Sequence, residues 1–132
     1  MRKLEFNDIQ ILIDLEAGLY VLPGDGATGK TYLGKLLQAA KANGVENVAY
    51  VTYDADLTEQ GILDKLKVMQ DGVLVVDRFD LYQSEAVVER LKQISKGSVV
   101  LVDVKNLNSL KLGKYRFATI NRAGENCIGV CL

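Results

Sequence analysis

Apolar residues recur along the chain in two kinds of run, and the two kinds alternate. Short runs rich in strand formers are Leu4–Phe6, Ile9–Leu15, Leu19–Leu22, Asn47–Tyr53, Val73–Val76 and Ser98–Val102, with Tyr115–Ile120 and Asn126–Leu132 at the end. Between them lie segments with helical spacing. After residue 31 the positions Tyr32, Leu33, Leu36, Leu37 and Ala40 form one apolar face of a helix that reaches about Lys41, where Asn43-Gly44 stops it. Leu57–Met69 reads as a second helix. A third spans about Ser84 to Ser95, with Ser84 as its cap and Lys96-Gly97 as its end. Asn7-Asp8 and Asp71-Gly72 are turns, and the last two runs read as a hairpin around Arg122-Ala123-Gly124-Glu125.

Val73–Val76 and the run ending at Val102 are apolar without alternation, which is the mark of strands covered on both faces. Strands separated by helices of 10–15 residues imply right-handed βαβ units and a parallel sheet. The expected fold is therefore a three-layer α/β sandwich with a mostly parallel sheet, in a single domain over residues 1–132. Ligands of such sheets bind beyond the carboxyl ends of the strands. That rule places Asp54, Asp77, Asp80 and Asp103 at one edge.

At the same edge, Gly24-Asp25-Gly26-Ala27-Thr28-Gly29-Lys30-Thr31 matches G-x-x-x-x-G-K-[ST], the phosphate-binding P-loop, at every fixed position. Glycine lets the backbone turn tightly and approach an anion without a Cβ in the way. Amides of the loop and of the first helical turn, through Tyr32, then face the phosphates at the positive end of the helix. Lys30 is expected at the β- and γ-phosphates and the Thr31 hydroxyl on Mg²⁺. The context fits: the motif follows an apolar strand, with Pro23 just before it, and opens a helix. Val73-Leu74-Val75-Val76-Asp77 has the form of a Walker B strand, whose Asp acts on Mg²⁺ opposite Thr31.

With these two motifs the chain resembles the P-loop NTPase superfamily over about residues 18–103. The likeness is greater to the subgroup that inserts a strand between the P-loop and Walker B strands. The resemblance implies ATP with Mg²⁺, with Lys30, Thr31 and Asp77 carried over by motif. It also implies a polar sensor after the inserted strand, Asp103 or Asn106. In relatives that begin with two strands, an aromatic upstream of the P-loop stacks on adenine, and Phe6 holds that place or a place in the core. The subgroup commonly has a catalytic Glu after the Walker B Asp; here the next residue is Arg78, and Asp80, three residues after Asp77, is either displaced into the base role or an exposed acid.

Three functions fit these residues. One is an ATP- or purine nucleoside triphosphate-binding protein with slow or partner-dependent hydrolysis. Another is a small kinase, since Asp77-Arg78-Phe79 resembles the Asp-Arg-aromatic motif of nucleotide kinases; Asp54 and Asp56 then sit where such enzymes handle the acceptor. The third is a nucleotide-gated scaffold that does not hydrolyse.

Charge and composition narrow the field further. The formal net charge is −1, so the whole molecule is not patterned for nucleic acid. Residues 104–124 nonetheless carry Lys105, Lys111, Lys114, Arg116 and Arg122 and no acid. That segment is either a solvated rim or an anion-facing edge, where Arg116 or Arg122 approaches the γ-phosphate of its own or a neighbouring subunit or the lysines hold nucleic acid or an acidic partner. The absence of histidine excludes Ser-His-Asp and Cys-His hydrolase mechanisms. Cys127 and Cys131 share one face of a strand too far apart for a disulfide, and read as reduced. No run is long and apolar enough for a membrane span or a signal peptide, so a cytoplasmic location is expected.

Overall fold

The computed structural model describes residues 2–23, 29–52, 54, 56–67 and 69–132. Positions 24–28 of the P-loop, Gly24, Asp25, Gly26, Ala27 and Thr28, lie outside the described residues, as does Tyr53.

Among the described residues, nine strands and three α-helices follow in the order β1 (Arg2–Phe6), β2 (Ile9–Asp14), β3 (Gly18–Leu22), α1 (Lys30–Ala42), β4 (Val48–Val51), α2 (Glu59–Lys65), β5 (Val73–Val76), α3 (Glu85–Ser95), β6 (Val99–Asp103), β7 (Arg116–Phe117), β8 (Thr119–Gly124) and β9 (Cys127–Cys131). A five-stranded sheet runs in the order β4-β5-β6-β3-β7, every neighbour parallel. A second sheet of four strands runs β1-β2-β9-β8. In it the two terminal hairpins are joined by a parallel pairing of β2 with β9.

The parity of the central strands sorts the core into two layers. Tyr20, Leu22, Val73, Val75, Val99 and Leu101 face α1 and the smaller sheet. Leu19, Val21, Leu74, Val76, Val100 and Val102 face α2 and α3. The α/β architecture with helices on both faces is as expected. The additional four-stranded sheet is not, because nothing local in either hairpin specifies their union.

Local chemistry accounts for most element ends. Ser84 Oγ accepts the Val87 amide at 3.2 Å and starts α3. Thr58 Oγ1 accepts the Gly61 amide at 3.1 Å, so α2 begins at Glu59 rather than at Leu57. α2 also stops at Lys65, short of the Met69 expected from its spacing. Its freed carbonyls are taken by α3: Arg90 Nη1 donates to Leu66 O at 3.0 Å and to Leu63 O at 3.4 Å. The run expected as one strand over Tyr115–Ile120 is two. Arg116–Phe117 joins the large sheet, Ala118 is fully buried with its amide on Val21 O, and from Thr119 the chain crosses to the small sheet.

Phe6 is a core residue, buried between the small sheet and α1. Cys127 and Cys131 are both free thiols on one face of β9.

Candidate functional site

β3 ends at Leu22 and α1 starts at Lys30, so the motif spans a strand-to-helix junction. Gly29 is the residue before the helix and has φ 88°, ψ 7°, a left-handed backbone that glycine adopts without a Cβ penalty. Its carbonyl accepts the Leu33 amide at 2.9 Å and opens the first turn.

Lys30 is 5% exposed. Its ammonium turns back to the sheet and meets Asp103 Oδ1 at 2.5 Å. Asp103 is the last residue of β6, in register with Leu22 at the end of β3. It is 7% exposed, and that oxygen's contact is an ion pair rather than a directed hydrogen bond. Strand parity puts Asp103 on the α1 side, two residues beyond Leu101. The same parity puts Asp77 there, two beyond Val75 in the neighbouring strand, and its amide is held by Val51 O at 2.8 Å. Thr31 is exposed on the first turn of α1.

Tyr50, from β4, completes this cluster and was not legible as a site residue. Its phenol is pushed up to about 12, by burial first and then by the charges of Asp77 and Asp103. The ring lies against the backbone of Gly34: a Cβ built there falls 2.3 Å from two ring carbons. Gly34 lies four residues after Lys30, on the same helix face. The available signal was parity, since Tyr50 is in register with Val75 and therefore shares its face.

The other acids are occupied elsewhere. Asp80 sits in a 3-10 turn after β5, nearly enclosed, with Arg78 Nε at 3.5 Å. Arg78 itself has a left-handed backbone, and Phe79 is fully buried in the α2–α3 layer. Asp54 Oδ1 accepts the Asp56 amide at 3.0 Å and shapes the turn ahead of α2, while the Asp54 amide donates to Tyr82 Oη at 2.6 Å. Asp56 is exposed. Asn106 Oδ1 caps its own 3-10 turn through the Asn108 amide. Of the two expected sensor residues, then, Asp103 is the one that meets Lys30.

The side chains of the basic segment have different surroundings. Lys105, Lys111 and Lys114 are exposed. Arg116 crosses the Tyr20 ring at 5.1 Å and donates to its hydroxyl at 2.8 Å. Arg122 lies over the Tyr32 ring, 4.4 Å from its centroid. Tyr32 was expected on the apolar face of α1; it is 38% exposed instead, with Arg122 over its ring.

Among the described residues no three acidic, thiol or imidazole side chains gather into a metal cage. Asp77 and Asp103 follow or end neighbouring strands, and Mg²⁺ delivered with phosphates needs only one or two carboxylates besides substrate oxygens and waters. No helix is long and apolar enough to cross a membrane among those residues. No protein-family model and no curated protein matches the chain.

Proposed function

We propose that this chain is a P-loop nucleotide-binding protein that takes ATP or a related purine nucleoside triphosphate with Mg²⁺ and hydrolyses it slowly without a partner. The observation that carries the proposal is Lys30. The motif's lysine is buried at the start of α1, and its ammonium is aimed at the carboxyl ends of β3 and β6. A buried cation at a helix N-terminus, beside an open-ended parallel sheet, is where a polyphosphate gains most from charge and dipole together. The sheet order supports the same reading, because β6 separates β3 from β5 as in the NTPase subgroup with an inserted strand.

In this reading Lys30 exchanges Asp103 for the β/γ-phosphates, Thr31 and Asp77 hold the ion, and Asp103 faces the terminal phosphate. The ion supplies charge neutralisation on the phosphate oxygens. Arg78 occupies the position after Asp77, and the chain has no histidine. The attacking water therefore lacks an evident base, and turnover is slow. The kinase reading draws less support, since Arg78 faces Asp80 and Asp54 serves a turn.

Calorimetry with Mg-ATP on wild type and Lys30→Ala tests the proposal, with circular dichroism as the folding control. A loss of about 2–3 kcal/mol is expected for a charge-assisted phosphate contact. Equal affinities in two folded proteins refute it.

A further inference from the structure

Residues 30 and 32 of an α-helix point about 200° apart around its axis. Lys30 turns into the large sheet, and Tyr32 turns away from it. On that far side runs β8. In register with buried Val130 and Ile128, it carries Ile120, half-buried, and Arg122, exposed. Ile120 covers Gly29, with its Cγ2 3.7 Å from a Cβ built there. Two residues on, Arg122 lays its guanidinium over Tyr32. A planar cation thus lies over an aromatic ring across the helix terminus from the lysine.

Core packing does not explain this pair, since both residues are exposed. Ion pairing does not explain it either: among the described residues Arg122 has no acidic partner. The phosphate site leaves it unused. A polyphosphate whose terminal end reaches Lys30 and crosses the helix terminus puts its nucleoside end on the Tyr32 side.

We infer that Arg122 and Tyr32 form the nucleobase end of the site, an inference that rests on the phosphate-site reading above. The base stacks on the outer face of the Arg122 guanidinium, and Tyr32 backs that guanidinium from beneath. Arginine suits the role because its planar group stacks while remaining charged. Stacking recognises a π-face and not the hydrogen-bonding edge. The site therefore takes purine triphosphates without separating adenine from guanine.

The test is calorimetry with ATP, GTP and inorganic tripolyphosphate, all with Mg²⁺, on wild type, Arg122→Ala, Arg122→Lys, Tyr32→Ala and Tyr32→Phe. The readout is the ratio of nucleotide to tripolyphosphate affinity, which cancels the general effect of charge. In wild type ATP and GTP are expected within about threefold of each other and about tenfold or more tighter than tripolyphosphate, the scale of one stacked base. Arg122→Ala, Arg122→Lys and Tyr32→Ala should collapse that advantage to about twofold or less. Tyr32→Phe should keep it. Tripolyphosphate binding in each variant shows that the fold and the phosphate site persist. An advantage retained in Arg122→Ala and Tyr32→Ala overturns the stacking role and leaves the phosphate site standing. A wild type that binds neither nucleotide nor tripolyphosphate overturns both.

Discussion

The Lys30 ammonium and Asp103 Oδ1 meet at 2.5 Å, both almost completely out of water. Removing one partner of such a pair leaves the other as an uncompensated buried charge, at a cost of about 3–5 kcal/mol. Asp103→Asn is therefore expected to destabilise the ligand-free protein by about 3 kcal/mol. Mg-ATP should close most of the gap to wild type, because phosphate oxygens then take the ammonium. Denaturant midpoints with and without Mg-ATP check this. A gap that nucleotide does not narrow contradicts the exchange of partners.

In the proposed nucleotide site Asp77 would act through the ion rather than on the nucleotide directly, so its effect should depend on magnesium. Asp77→Asn should weaken Mg-ATP binding by about 1–3 kcal/mol and leave binding in chelator unchanged. Titrations in both conditions decide. A variant like wild type in both removes Asp77 from the site.

Alanine is the better helix former than glycine by about 1 kcal/mol, yet Gly34→Ala should destabilise. The added methyl falls 2.3 Å from the Tyr50 ring. Overpacking of this kind costs about 1–3 kcal/mol. In a Tyr50→Ala background the obstruction is gone, and Gly34→Ala should become stabilising. That reversal of sign, read from urea midpoints in a double-mutant cycle, is the decisive outcome. The same sign in both backgrounds would show that the ring does not set the effect.

Tyr50 also gives a pH dependence. Its phenol ionises near 10.0 in an ordinary environment and at about 12 in the folded protein, because of burial and then of Asp77 and Asp103. The folded state thus holds a proton that the unfolded chain releases first. The stability linked to Tyr50 is complete below pH 10 and is lost between pH 10 and 12. Wild type should lose more stability than Tyr50→Phe as pH rises through that window, measured by urea unfolding at successive pH values. Parallel curves would disprove the linkage.

How far the chain could be read in advance follows from the range of the interactions involved. Val73–Val76 and the run Val99–Val102 were legible because strands buried on both faces need apolar residues at every position. Ser84 was legible because a cap acts within three residues. Lys30, Thr31 and Asp77 were singled out by motif, which spacing alone supplies. The Lys30–Asp103 pair was not, since it depends on β6 lying directly beside β3, a consequence of sheet order. Tyr50 looked like any strand aromatic until its register with Val75 placed it among acids. Arg122 was legible only as a basic residue near the end, because its position over Tyr32 requires the union of two distant hairpins.

That union governs when the site can exist. Strand β2, near the start of the chain, has its parallel partner in β9, near the end, and β9 in turn holds β8. Such long-range pairing is entropically slow to form. During synthesis the large sheet can begin to assemble while β8 and β9 are still inside the ribosome. Ile120 and Arg122 reach Gly29 and Tyr32 only after the last strands emerge. The contacts that Ile120 and Arg122 make with Gly29 and Tyr32 thus form only once β8 and β9 have paired with β2, after Lys30 and Asp103 can already meet.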